Sequence, residues 1–142
     1  MILNIIKFGD PDSYKLRSKN IDVNINNPFL NELIPNMFET LTCDAALSAP
    51  QVGFNLNFFI VKEKNFRYIF INPEIKYLGL NIQNLENDLS FPDMIIPVNR
   101  REFIEIKYLN IDFEVKFSHF TGLTAMLIQQ GYDHLNCKLI ID

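Results

Sequence analysis

The sequence predicts an α+β domain in which antiparallel or mixed β-sheets pack around one central helix near the C-terminus. Three observations predict it. Leu123, Met126, Leu127 and Ile128, followed by Leu135 and Leu139, recur at helical spacing late in the chain. Phe29, Leu30, Leu33, Ile34, Met37, Phe38 and Leu41 form a second helical pattern early on. Between them, short apolar runs at Asn57–Val61, Arg67–Ile71 and Phe103–Leu109, with an alternating run at Asp112–Phe117, read as strands.

Each element follows from local chemistry. Asp10–Asp22 is polar, and Asp10-Pro11 signals a turn. The early helix has Asn26 or Asn27 as candidate caps and Pro28 as its first residue, and Pro35 should kink or split it. The charged segment Lys62–Asn65 joins the first two strands. In the last strand Phe113, Val115 and Phe117 alternate with Asp112, Glu114 and Lys116, predicting one buried and one wet face, with the turn at Asn110-Ile111. His119 falls in a turn before the final helix, which starts near Thr121–Leu123.

With 142 residues the chain is expected to form a single domain, 1–142, with enough length for a proper core. A formal charge of −4, with no basic cluster beyond Arg100–Arg101, gives no electrostatic support for nucleic-acid binding. The opening MILNII is too short to span a bilayer and lacks the charged start and cleavage site of a signal peptide, so the expected compartment is cytoplasmic. Cys43 and Cys137 have no metal-ribbon spacing and read as reduced thiols acting as small apolar residues.

The chemistry concentrates in Gln129–Cys137, QQGYDHLNC. Residues four apart share a helix face, so Gln130 and His134 point into one space. This is the frame of HExxH, in which two His hold a metal and the Glu is the general base. Here Gln130 stands for the first His and Gly131 for the Glu. Ala45–Gly53 reads AALSAPQVG and Glu86–Pro92 reads ENDLSFP. With QQGYDHL, these segments resemble the three motifs of the peptide deformylases, GxGLAAPQVG, EGCLS and QHExDHL, in the same order. The likeness extends through IIKFGDPDSYKLRSKNI and Arg100, and so over nearly the whole chain.

The resemblance implies the deformylase fold, here without the extended C-terminal segment that many members carry. It also implies metal-ligand positions at Asp88, Gln130 and His134, where the family has Cys, His and His around iron, zinc, nickel or cobalt. One nitrogen, one carboxylate and one neutral amide suit such ions poorly, so the expectation is no cofactor, or weak occupancy by such a divalent ion. The general-base position is Gly131, which also costs the helix about 1 kcal/mol relative to Ala with no local benefit visible in the sequence. Tyr132 and Asp133 point away from the shared face.

Further positions follow from the same likeness. Gln51 and the backbone N–H of Leu89 fall at the oxyanion-stabilising positions, Glu86 and Arg100 at a structural ion pair, and Leu123, Met126 and Leu127 at the methionine side-chain pocket. Ala46 and Arg100 fall at substrate-binding positions, with Ala46 and Asp44 standing where GxGLA has glycine. Three readings follow. The first is a catalytically inactive deformylase-like protein whose cleft still takes an N-terminal methionyl peptide. The second is an active metal-dependent peptide deformylase using an Asp/Gln/His site on N-formylmethionyl peptides. The third is a protein-interaction module on the same fold.

Overall fold

The computed structural model describes residues 1–142. One antiparallel sheet organises it, with strand order β1-β2-β3-β4-β5. The strands are β1 (Ala45–Ser48), β2 (Phe58–Glu63), β3 (Phe66–Asp88), β4 (Phe91–Leu109) and β5 (Val115–Thr121), with helices α1 (Leu30–Thr40) and α2 (Gly122–Leu135). Short 3-10 turns lie at Ser13–Arg17 and Ala49–Val52. The only parallel pairing is an isolated bridge, Ile21 to Leu56.

The run Phe58–Val61 is continuously apolar because β2 is buried on both faces. Phe58 and Ile60 join the core built on α1, together with Leu33, Met37, Leu47 and Ile71. Phe59 and Val61 face the core built on α2, with Phe70, Ile104, Ala125 and Ile128. A third, smaller cluster holds Ile6 and Leu16 against Phe91, Leu139 and Ile140. The sheet therefore has a helix on each side of β2, and α2 lies where the chemistry is expected.

Several expected elements differ in detail. Helix α1 starts at Leu30, after Pro28, with Phe29 as its N-cap residue and no side-chain cap. Asn27 instead accepts the Phe29 N–H through Oδ1 at 3.0 Å. Pro35 leaves the helix unbroken; the carbonyl it deprives of a donor belongs to Asn31, an exposed residue on the solvent side of the helix. The β4–β5 pairing is present, with Phe103 opposite Thr121 and Leu109 opposite Val115. The strand starts later than expected, and its faces are reversed. Val115 and Phe117 are exposed, whereas Phe120 packs edge-on against Tyr68 and Phe70.

The connecting turn spans Asn110 to Glu114. Asn110 Oδ1 accepts the N–H groups of Asp112 and Glu114, and Phe113 adopts φ 59°. His119 sits on β5 beside Phe103, not in a turn. Cys43 is exposed and Cys137 half-buried, so neither behaves as a core residue. No helix is long and apolar enough to cross a membrane.

Candidate functional site

Three segments meet at Asp88. The first is the end of β3, where the two-residue turn Leu89–Ser90 leads into β4 and Asp88 pairs with Phe91. An Asp at such a turn accepts the backbone N–H two residues on, and Ser90 N–H reaches Asp88 Oδ1 at 2.8 Å. The second is the 3-10 turn Ala49–Val52, which delivers Gln51. Its Nε2 donates to Ser90 Oγ at 3.0 Å and to Asp88 Oδ1 at 3.3 Å, while its Oε1 accepts from the N–H and hydroxyl of Ser48. The third is α2, whose His134 Nε2 lies 2.6 Å from Asp88 Oδ2.

Asp88, Gln51 and His134 are all buried. The carboxylate accepts from the Ser90 N–H and Gln51 Nε2 through Oδ1, and its Oδ2 is placed to accept an N–H from His134 Nε2. His134 Nδ1 is buried without a partner. One helical turn earlier, Gln130 Nε2 donates to the Asn87 carbonyl at 2.8 Å. The shared face expected for Gln130 and His134 is thus real, and both residues anchor α2 to the end of β3.

A second polar tie holds the other side of α2. Arg100 on β4 is 4% exposed. Its Nε and Nη2 donate to Glu86 at 2.8 and 2.6 Å, and its Nη1 donates to Asp133 at 2.5 Å. Asn84 Nδ2 braces Glu86. Burial pulls the Arg100 pKa down, but hydrogen bonds to Glu86 and the charge of Asp133 outweigh it, leaving the guanidinium above its ordinary value. Tyr77, 39% exposed and near Asp133, is pushed up to about 12, by partial desolvation first and by that carboxylate second. Gln129 adds a third tie, with Nε2 donating to the Arg101 and Ala125 carbonyls and Oε1 accepting the Arg101 N–H.

Gly131 has a structural reason that the sequence does not reveal. The Phe59 ring lies against it, and a Cβ built there would stand 2.5 Å from Phe59 Cδ2 and 2.9 Å from Cε2. Such contacts are far inside van der Waals range, and Phe59 is fully buried. The ring fills the volume that a side chain at 131 would need.

A cleft of about 350 Å³ opens beside Asp88 and Gln130, lined also by Asp44, Leu89, Asp93 and Leu127. Ala45 lines it; Ala46 turns the other way, into the α2 core. Asp44 is partly tied back, accepting the Lys64 N–H at 2.9 Å in the β2–β3 turn. The three apolar residues expected to form one pocket are split. Leu127 faces this cleft, whereas Leu123 and Met126 border a separate depression with Ile82 and Thr121. Arg100 does not line this cleft, and both ends of its guanidinium are engaged by carboxylates. Sequence reading missed Ser90, Asp133, Gln129 and Phe59. Of these, Ser90, Asp133 and Gln129 lie in motifs that could have flagged them, and Phe59 does not.

The donor set does not fit a resident transition-metal ion. No three His, Cys, Asp or Glu side chains are placed to hold one. The imidazole and carboxylate at Asp88, Gln130 and His134 are bonded to each other, and the amide directs its N–H to Asn87.

An antiparallel sheet crossed by a helix that presents Gln130 and His134 defines a deformylase-fold domain. A crystal structure of peptide deformylase from Thermotoga maritima superposes with a TM-score of 0.91 at 34% identity, covering 100% of this chain and 97% of that one. The family described as polypeptide deformylase matches residues 2–142, and the chain belongs to the peptide deformylase family. Among curated relatives, the peptide deformylase of Karelsulcia muelleri is 38% identical over 100% of this chain and 78% of its own length. That of Flavobacterium psychrophilum is 36% identical over 100% of this chain and 82% of its own.

Proposed function

We propose that this chain is a non-hydrolytic member of its family, retaining a cleft for the N-terminal end of a methionyl peptide. The observation that carries the reading is the Phe59 ring seated on Gly131. Hydrolysing a formyl amide requires a group that takes a proton from water and returns it to the leaving amine, a role contributing on the order of 10²–10⁴-fold. Residue 131 supplies none, and its space is filled. Asp88 is already an acceptor for Ser90, Gln51 and His134. Both Nε2 hydrogens of Gln51 point at Ser90 and Asp88, so neither is aimed at a developing oxyanion in the cleft. A methionyl N-terminus is made at the ribosome, so this reading is in keeping with a cytoplasmic protein.

The comparisons favour a second reading, an active metal-dependent peptide deformylase. The relatives carry that name and match along the whole chain. In this reading Asp88, Gln130 and His134 rearrange to hold the ion.

Formate release from a formyl-methionyl peptide, assayed anaerobically with iron, nickel, cobalt and zinc supplied in turn, separates the two. No release above the metal-only blank, with a melting temperature unmoved by chelator or by each ion, is the expected result. Turnover abolished by His134→Ala would overturn the non-hydrolytic reading.

A further inference from the structure

We propose that the open edge of β5 pairs antiparallel with β5 of a second copy, so that two sheets join across a twofold axis. β5 ends the strand order, and no loop or turn backbone hydrogen bond reaches Val115–Thr121. Sheet edges left open are normally defended by a bulge, a proline or several charges. β5 reads VKFSHFT, pairs with β4 without a register shift, and offers one lysine, Lys116. Lys116 shares the α2 side of the sheet with Ser118 and Phe120, whereas Val115, Phe117, His119 and Thr121 lie on the outer side. There Val115 is 55% and Phe117 76% exposed.

The outer side identifies the occupant. Cross-strand neighbours there run Glu74, Lys107, Phe117 in one row and Lys76, Glu105, His119 in the next. A twofold axis at Ser118 keeps the two outer sides together and overlaps the strands along their full length. It sets Phe117 opposite His119 of the second copy, and Val115 opposite Thr121 of the second copy. The first row then continues through the second copy's His119, Glu105 and Lys76, and the second row through its Phe117, Lys107 and Glu74. No like charges meet. Each aromatic ring faces an aromatic ring and each β-branched residue a β-branched one, the pairings that stabilise neighbouring strands. A depression of about 480 Å³, lined by Phe117, His119 and the same four charged residues, lies where the incoming ring sits. An unrelated strand has no reason to carry this order, whereas a twofold contact repeats it by construction. A ladder of seven residues buries less surface than an obligate dimer does, so the association is reversible and depends on concentration.

Sedimentation velocity of the full chain, from low micromolar to near-millimolar concentration, tests the pairing, with a reversible monomer–dimer equilibrium expected. Phe117→Ser, at an exposed side chain, should weaken the dimer by about tenfold or more without changing the circular dichroism spectrum. The register is read by short bis-maleimide cross-linking in a Cys43→Ser, Cys137→Ser background. Val115→Cys and Thr121→Cys proteins should cross-link when mixed but not separately. Each new thiol faces the other's position and lies about 20 Å from its own equivalent across the axis. Amide exchange of the unsubstituted chain gives an independent reading, because protection of Val115–Thr121 should rise with concentration. A chain monomeric at every concentration, a dimer indifferent to Phe117→Ser, or β5 protection that does not follow dimerisation would overturn the proposal. So would cross-links as strong in the separate proteins as in the mixture, which would put the contact elsewhere.

Discussion

The Asp88 carboxylate and the His134 imidazole share a 2.6 Å hydrogen bond, with each side chain only 2% exposed. Asp88→Ala leaves His134 Nε2, Gln51 Nε2 and the Ser90 N–H short of an acceptor. Unsatisfied buried donors cost about 1–3 kcal/mol each, with partial relief where water enters. A double-mutant cycle with His134→Ala, read by urea unfolding, should therefore return a coupling energy on the order of 1–3 kcal/mol. Additive single effects would show that the pair contributes nothing as a pair.

Alanine normally strengthens a helix relative to glycine, by about 1 kcal/mol. At residue 131 the opposite is expected, because the new methyl meets the Phe59 ring. Gly131→Ala should destabilise the chain by roughly 1–3 kcal/mol through overpacking. In a Phe59→Val background, the same substitution should become neutral or stabilising. Thermal unfolding of the four proteins decides it, and a constant Gly131→Ala effect in both backgrounds would refute the packing account.

Arg100 is the sole cation for two carboxylates on different elements, Glu86 on β3 and Asp133 on α2. Removing it strands Glu86 in a buried site, and breaking such a pair costs about 3–5 kcal/mol. Arg100→Met should approach that loss in a urea titration. Asp133→Asn should cost less, because that side chain is 17% exposed and Arg100 keeps Glu86. Equal losses would mean that the helix contact, not the buried pair, dominates.

The pH dependence has a distinct source at the surface. Two hydrogen bonds from Arg17 and one from the Leu139 N–H hold the Asp142 carboxyl down to about 2, against an ordinary 3.8. A depressed carboxylate pKa stabilises the fold above the unfolded value, and that contribution fades as pH falls toward the folded one. Asp142→Asn should therefore lower the melting temperature above pH 3.8 and converge with the parent near pH 2. The site is open to solvent, so the difference is small and shrinks with salt. A difference that persists unchanged at pH 2 would refute the assignment.

The architecture was legible where burial is one-sided or repeated. α2 and the β4–β5 pairing follow from spacing alone. The long arms of β3 and β4 were not, because Asn81–Asn84 is mostly polar, and in the largely exposed Asp93–Asn99 the apolar residues do not alternate and are interrupted by Pro97. The faces of β5 were reversed because local alternation favours the Val115 and Phe117 side, whereas the core contact is made by Phe120 on the other side, through Tyr68 and Phe70 on β3. At the site, motif order brought Gln51, Asp88, Gln130 and His134 together. Their mutual bonding is a three-dimensional fact that one-dimensional spacing does not contain. Phe59 was invisible for a plainer reason: in the run Phe58–Val61 it reads as one core residue among four.

The Phe59–Gly131 contact also makes the two positions interdependent. A larger side chain at residue 131 alone lands on the Phe59 ring, and a smaller one at residue 59 alone empties part of the core. A chain can therefore acquire a side chain at residue 131 without strain only by changing residue 59 as well, so substitutions at the two sites have to travel together.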